Sequence, residues 1–435
     1  MTRTHNHVHD LCITVTPITE LKPYARNPRT HSKHQVKQIA SSIRKFGFTN
    51  PILIDAAGSI IAGHGRLEAA KLMQLESVPV IKLGYLTEAE KRAYIIADNK
   101  LAENAGWNIE LLQTEIQSII SLDLDFDLTL TGFEVAEIDK MMIFTNDDDD
   151  IDDIPSPDTD DQVSVLGDVW ILGEHRLLCG DATQKSSSQK LLGDQKADMI
   201  FTDPPYNVAI NGHVCGNGKK QHSEFKMASG EMSPEQFTTF LRDTISQLCD
   251  YSTNGSLHYI CMDWRHIQEL MQAAAPYKTF MNLCVWNKSN GGMGSLYRSK
   301  HELVFVYKNG TSPHINNVQL GKHGRYRTNV WDYAGVNTFE NSENLSMHPT
   351  VKPVKMIQDA ILDCTKRGQL VLDVFGGSGS TLMAAERSGR RAYLMEFDPK
   401  YIDVIIRRYI EFTGNAVMHE DGRSFKEVQE ARYDI

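Results

Sequence analysis

The sequence predicts an α/β protein in two parts: a mostly parallel sheet with helices on both faces, preceded by a smaller α+β unit. Three observations carry this. From about residue 169 onward, short apolar runs alternate with helical patterns, as repeated strand–helix–strand units require. The 435 residues exceed what one hydrophobic core holds, since single cores rarely pass ~250–300 residues. Residues 147–161 carry nine aspartates and no Lys or Arg. Such a tract repels itself and has little to bury, so it reads as an extended linker. The expected parts are residues 12–145, a linker over 146–162, and 163–435.

In the first part, Ile39, Ile43 and Phe46 share one helical face, and Gly47 marks the stop. Pro51-Ile52-Leu53-Ile54-Asp55 and Ser59-Ile60-Ile61-Ala62 read as short strands around Ala57-Gly58. Gly63-His64-Gly65-Arg66 then opens a helix through Leu72, and Val78-Pro79-Val80-Ile81 forms a further strand. In the second part, strands are expected at 169–172, 176–179, 198–202, 256–262, 281–287, 302–307, 370–375 and 392–396. Helices are expected at 234–249, 264–274, 353–364, 380–388 and 399–412.

Composition narrows the function classes. No apolar run reaches the ~18 residues of a membrane span, and the N-terminus lacks the apolar core of a secretory signal. Seven scattered cysteines, none paired at a two-residue spacing, speak against zinc clusters and a disulfide framework. A reducing, cytoplasmic setting is therefore expected. His5, His7 and His9 alternate at a metal-like spacing, but a disordered terminus is the expected reading, and no metal is expected. The net charge of −11 is awkward for a nucleic-acid binder. Residues 288–327, however, hold seven Lys/Arg (Lys288, Arg298, Lys300, Lys308, Lys322, Arg325, Arg327) against one acid, Glu302. A local basic surface can bind phosphate on an acidic protein; a solvated basic loop is the plainer alternative.

Two motifs carry chemistry. Asp203-Pro204-Pro205-Tyr206 follows the apolar run Met199-Ile200-Phe201. The exocyclic nitrogen of adenine is a poor nucleophile, because its lone pair is delocalised into the ring. The Asp203 carboxylate can accept one amino N–H and the Pro204 carbonyl the other, with proline fixing the backbone that aims it. The lone pair then turns toward a methyl donor, and Tyr206 can stack on a base extruded from the duplex. Out of context, Asp-Pro is also a common turn. The second motif is the apolar run Val371-Leu372-Asp373-Val374 leading into Phe375-Gly376-Gly377-Ser378-Gly379, with Glu396 at the end of the next strand. A glycine turn admits close approach of a ligand, and an acid about twenty residues on can bind ribose hydroxyls. A dinucleotide site and a plain structural turn share that pattern.

These residues, with His348-Pro349-Thr350-Val351-Lys352-Pro353, resemble the motifs of amino-methylating DNA methyltransferases of the beta group, over about 165–415. The resemblance implies a Rossmann-like methyltransferase fold with a seven-stranded sheet, and S-adenosylmethionine as cofactor. It implies cofactor contacts from Asp373, Phe375, Gly376, Gly377, Ser378, Gly379 and Glu396, from His348, Thr350 and Lys352, and from Asp181 unless that residue is a loop acid. Trp286-Asn287-Lys288 and His301-Glu302 also look like family elements, without a defined role. The sequence-reading region would be 288–347, with Lys288, Arg298, Lys300, Lys322, Arg325 and Arg327 facing DNA. Residues 207–230, including Asn211, His213 and Lys219, would form a loop beside the base pocket. The family's cytosine-N4 enzymes more often carry Ser at the position of Asp203, which favours adenine N6.

The first part resembles the ParB/sulfiredoxin-like domain over roughly 12–110, on Pro51–Ile54, Ile61–Ala70 and Ala97–Asn104. Gly63, His64, Gly65 and Arg66 at a helix start would attract an anion. His64-Gly65-Arg66 stands where partition proteins carry Glu-Arg-Arg, which argues against nucleotide hydrolysis and for a DNA-contacting accessory role. The expectation is thus a site-specific adenine-N6 methyltransferase acting on double-stranded DNA, with no membrane partner and no obligatory protein partner; dimerisation stays open. The alternatives are a cytosine-N4 enzyme and a ParB-like DNA-binding protein with an inert methyltransferase half.

Overall fold

The computed structural model describes residues 11–122, 127–143, 152, 154–155, 162–208, 230–289, 291, 296–321, 326–335 and 351–433. The chain divides into two compact units, Met1–Met142 and Ile143–Ile435. No helix among the described residues is long and apolar enough to cross a membrane.

The first unit contains β1 (Ile13–Pro17), α1 (Lys33–Phe46), β2 (Ile52–Ile54), β3 (Ile60–Ala62), α2 (His64–Leu72), β4 (Ser77–Lys82), α3 (Glu88–Glu103), α4 (Ile109–Ser121) and α5 (Val135–Ile143). Its four strands run β1-β4-β2-β3. Ser32 caps α1 by accepting from Gln35 N, and Gly47 ends it with φ 82°. Ile52, Ile54, Ile60, Leu67, Val78 and Val80 form one small core. The strand β1 and the helices α3 to α5 were absent from the sequence expectation.

The second unit runs β5 (Val169–Leu172), β6 (His175–Cys179), α6 (Lys185–Leu192), β7 (Ala197–Thr202), α7 (Pro234–Asp250), β8 (Ser252–Met262), α8 (Ile267–Ala273), β9 (Thr279–Asn287), β10 (His301–Lys308), β11 (Val330–Asp332), α9 (Val354–Cys364), β12 (Leu370–Asp373), α10 (Ser380–Ser388), β13 (Arg391–Glu396), α11 (Pro399–Thr413), β14 (Met418–His419) and α12 (Phe425–Tyr433). Among the described residues the sheet has ten strands rather than seven, in the order β11-β9-β10-β8-β7-β12-β13-β6-β5-β14. Its centre, β8-β7-β12-β13-β6, is parallel, and β10 and β5 join that centre antiparallel. The fold is Rossmann-like α/β, with short extra strands at both edges.

Burial explains the central strands. All four residues of β12 and five of the six in β7 are buried, a continuous apolar pattern typical of parallel strands covered on both faces. The β12 strand stops at Asp373 rather than at 375, because the carboxylate accepts the Phe375 N–H and begins the turn. The acidic tract is not wholly an extended spacer. Asp152 accepts the Val354 N–H at the start of α9, and Ile154 is buried.

The topology positions a site. From β7 the chain proceeds through α7 to β8 on one side. From β12 it proceeds through α10 to the opposite neighbour, β13. Two adjacent parallel strands whose connections leave in opposite directions open a crevice at their carboxyl ends. Asp203 follows one of these strands, and Asp373 ends the other.

Candidate active site

The crevice between the ends of β7 and β12 is lined by Phe201, Asp203, Val351, Lys352, Ile357, Asp373, Phe375, Gly376, Gly377, Ser378, Ser380 and Thr381. The tetrapeptide's aspartate and the glycine turn therefore share one pocket, although 170 residues separate Asp203 from Asp373.

The glycine turn is held by its own backbone. Gly376 N donates to Met395 O at 2.8 Å, and Gly379 N to Gly376 O at 2.8 Å. At Gly379, φ is +84° and a Cβ would come within 3.0 Å of Ile405, so glycine is required there for both reasons. Asp373 is nearly buried and accepts from Thr202 Oγ1 at 2.9 Å, Thr381 Oγ1 at 2.6 Å and Phe375 N at 3.1 Å. Burial pushes its carboxyl up to about 7 against these three donors. Glu396 accepts from Gly377 N at 2.8 Å with one oxygen and from Asp398 N at 2.9 Å with the other. Burial pushes it, too, to about 7, although its side chain keeps some contact with solvent. The pocket edge thus offers backbone, hydroxyl groups and the Asp373 carboxylate, with Glu396 held behind the turn through Gly377 N, which suits an adenosine-type ligand bearing a positive charge. Asp181 lies just past β6, where Gly180 N donates to Glu396 O at 2.9 Å. Its Oδ1 accepts from Thr183 N and Thr183 Oγ1, the loop-acid arrangement. Asp181, Gly379 and Glu396 do not line the described pocket.

Asp203 lies in a charged network. Lys352 Nζ donates to Asp203 Oδ2, to Glu302 Oε1 at 2.9 Å and to the Tyr206 hydroxyl at 3.2 Å. The Tyr206 hydroxyl also contacts Asp203 Oδ1 and Glu302 Oε1, and Lys288 Nζ meets Glu302 Oε2 at 2.8 Å. Lys352 and Glu302 are almost buried, their side chains 5% and 6% exposed. Burial pushes the Asp203 carboxyl up, only partly offset by Lys352, and Glu302 adds to the rise. Burial also works against ionised Glu302, but Lys352 and Lys288 prevail and hold it at about 2. Pro204 is buried, Pro205 half-buried, and the Pro204 carbonyl accepts no hydrogen bond among the described residues.

The network revises several sequence assignments. Lys352 does line the pocket, but its ammonium is committed to Asp203 and Glu302. The Tyr206 ring packs against the core and faces Lys352 Nζ at 5.5 Å, with its hydroxyl turned inward. Glu302 had no defined role on sequence grounds. The available signal was its isolation, as the lone acid in a basic stretch.

The residues expected to face DNA part company. Arg327 is not a free cation. It donates to Asp363 at 2.9 Å and to the Tyr333 hydroxyl at 2.7 Å, and it lies 5.0 Å over Trp331. Lys288 is tied to Glu302 and sits 4.5 Å over Trp286. Lys300 is exposed, and exposed Arg298 donates to Gly291 O at 2.6 Å. Lys322, Arg325, His348, Thr350 and the histidines His5, His7 and His9 lie outside the described residues, as do residues 209–229 of the expected loop. The ends of that loop are joined by Asn207, which donates to Met232 O and accepts from Gly230 N and Met232 N.

In the first unit, Gly63 starts α2 with φ 104°. Its neighbours are engaged in packing rather than left open to an anion. His64 Nε2 accepts the Tyr24 N–H at 3.2 Å, Arg66 donates to the carbonyls of Asn50 and Pro51 at 2.7 and 3.0 Å, and Gly65 packs against His31 and Ile39.

Comparisons with known proteins agree with this architecture. Residues 197–407 match a family model described as DNA methylase. Residues 2–99 match the ParB N-terminal domain, and 110–166 a ParB-methyltransferase HTH domain. The last spans nearly all of α4, α5 and the whole acidic tract. The ParB-like nuclease domain-containing protein YnaK of Escherichia coli is 55% identical over 82 residues, 19% of this chain and 94% of that protein. The type II methyltransferase M2.DpnII of Streptococcus pneumoniae is 29% identical over 230 residues, 49% of this chain and 82% of that enzyme. A solved complex of M1.HpyAVI with S-adenosylmethionine covers 53% of this chain and 97% of its own, at 18% identity and a TM-score of 0.39. The segment that contains the crevice is thus an N6/N4-type DNA methylase domain, and the chain joins it to a ParB N-terminal domain.

Proposed function

We propose that this DNA methylase is site-specific and transfers the methyl group of S-adenosylmethionine to adenine N6 in double-stranded DNA, after the target base has left the helix. The observation that supports it most is the shared crevice: Asp203 and the turn Phe375–Ser378 line one pocket. Bound against that turn, S-adenosylmethionine supplies a methyl group on a positively charged sulfur. Phe375, Gly376, Gly377 and Ser378 would hold the nucleoside, and Asp373 and Glu396 would favour its positive charge and ribose hydroxyls. Asp203 accepts one amino N–H of the base, and the Pro204 carbonyl, which has no donor of its own among the described residues, accepts the other. With both hydrogens held, the nitrogen lone pair turns toward the methyl group. Alignment of this kind can lower a barrier by several kcal/mol, up to ~7–11. Extruding the base costs a few kcal/mol, which contacts to DNA must offset. Residues 288–347 would read the sequence and the first unit would add DNA contacts.

The test is direct. The chain is incubated with duplex DNA and S-adenosylmethionine carrying a labelled methyl group, and the digested nucleosides are identified. N6-methyladenine is expected; N4-methylcytosine as sole product refutes the adenine assignment. Absence of S-adenosylmethionine binding by calorimetry would instead favour a DNA-binding protein with an inert methylase half.

A further inference from the structure

A buried carboxylate with no part in the transfer just described stands behind Asp203. Glu302, the second residue of β10, receives the same two donors as Asp203, namely the Lys352 ammonium and the Tyr206 hydroxyl. It also forms an ion pair of its own, with Lys288 at 2.8 Å. The tyrosine hydroxyl carries one hydrogen and touches two carboxyl groups. It can donate to only one of them, so a full set of hydrogen bonds requires that the other carry a proton and donate back. The two carboxyl groups are not equivalent: Glu302 faces two ammonium groups, and Asp203 faces one.

We propose that Glu302 is a positioning residue: it takes the Tyr206 hydroxyl hydrogen, so that the tyrosine oxygen offers its lone pair to Asp203 and supports the proton that Asp203 receives from the methylated amino group. The inference rests on the reading of Asp203 as the acceptor of the amino hydrogen. In the step, the N–CH3 bond forms as the S–CH3 bond breaks. The amino N–H bond then breaks, its electron pair stays on nitrogen, and the proton forms an O–H bond on Asp203. The chain Asp203–H to Tyr206 O–H to Glu302 accommodates that proton without charging the tyrosine. Burial, together with the Asp203 and Glu302 carboxylates beside it, pushes the Tyr206 hydroxyl well above its usual range, so it passes hydrogen bonds along rather than ionising.

The experiment compares Glu302→Gln, Tyr206→Phe and the double variant in the full-length protein. Single-turnover methyl transfer is measured beside S-adenosylmethionine and DNA affinity. Each single variant is expected to slow transfer about 10- to 100-fold with both affinities within about twofold of the parent. The double variant is expected to be no slower than the worse single one, because one chain is broken only once. Multiplicative losses, or a loss in affinity that matches the loss in rate, would assign Glu302 a structural role and overturn the inference. Should Glu302→Gln fail to fold, Tyr206→Phe decides alone, since a rate within about twofold of the parent removes the chain. The reading beneath it fails separately, if the parent protein methylates no base at all.

Discussion

Thr202 and Asp373 end adjacent strands of the sheet, and the threonine hydroxyl donates to the aspartate at 2.9 Å. One bond thus joins the strand that presents Asp203 to the strand that begins the glycine turn. Replacing Thr202 with Val keeps the shape and removes this donor. Asp373 then retains Thr381 and the Phe375 N–H but holds its charge less well. One such hydrogen bond is worth about 1–1.5 kcal/mol, so S-adenosylmethionine affinity at neutral pH should fall about 5- to 10-fold. Calorimetry reads it, and an unchanged affinity would show that the bond does not shape the cradle.

Affinity for the cofactor should also depend on pH with a definite sign. Burial lifts both Asp373 and Glu396 to about 7. A positively charged ligand favours their ionised forms, so affinity should rise as pH increases from 6 to 8. The ligand-free protein behaves oppositely. A carboxyl whose pKa is raised on folding contributes stability below its unfolded value near ~4, and that contribution is lost as pH rises through about 7. Asp373→Asn should flatten most of both trends, with a smaller residue from the more exposed Glu396. Titration calorimetry and thermal melts across this range check the two signs together.

Asp203→Ala separates chemistry from binding. It removes the acceptor for the amino hydrogen, while the glycine turn, Asp373 and Glu396 keep their own hydrogen bonds. Lys352 retains Glu302 as a partner. Methyl transfer should drop about 10²- to 10⁴-fold, with S-adenosylmethionine affinity within about threefold of the parent. Retention of full activity would remove Asp203 from the mechanism.

What could be read from the sequence follows from how local each signal is. Val371-Leu372 and Met199-Ile200-Phe201 announce buried parallel strands by composition alone, and the parallel pairing of Val371 with Met199 bears this out. Helix ends were legible where caps exist, as at Ser233-Pro234 before α7. The helix α4 was missed although Asn108 caps it and Ile109, Leu112 and Ile116 recur at helical spacing; that signal was present. Glu302 was different. Its partner Lys352 lies 50 residues away, and Asp152 caps a helix 202 residues away. Such pairings exist only once the sheet order is fixed, and no spacing rule reports them. Arg327 shows the converse error: a basic residue in a basic stretch looked exposed, but the acids that neutralise it, Asp359 and Asp363, sit on α9.

Asp403 offers a stability test away from the crevice. Its carboxylate accepts from Val163 N at 2.7 Å, Ser164 N at 3.0 Å and Ser164 Oγ at 2.5 Å, and it is buried on α11. These bonds fasten the first segment of the second unit across some 239 residues of sequence. Asp403→Ala leaves two buried N–H groups without a partner, at about 1–3 kcal/mol each before relaxation. The unfolding transition of this unit should move down by several degrees, with Asp403→Asn intermediate. Chemical denaturation with fluorescence detection measures the difference.

The basic stretch yields a prediction that separates two arginine- and lysine-based roles. Arg327 is mostly buried, its side chain 18% exposed, and it is bound to Asp363, Asp359 and Tyr333. Arg327→Gln removes the guanidinium that pairs with Asp363, while Asp359 keeps Lys355; the loss is about 3–5 kcal/mol for a fully buried pair and less at this exposure. It should lower the melting temperature and leave the salt dependence of duplex binding unchanged. Lys300 is exposed. If it meets a phosphate, Lys300→Gln removes one released counterion, and the slope of log affinity against log salt concentration should shrink by up to ~0.9, with no change in melting temperature. Fluorescence anisotropy on a duplex at several salt concentrations gives the slope, and thermal denaturation of the same samples gives the stability. An unaltered slope in Lys300→Gln, or a reduced one in Arg327→Gln, would reverse the assignment of these two residues.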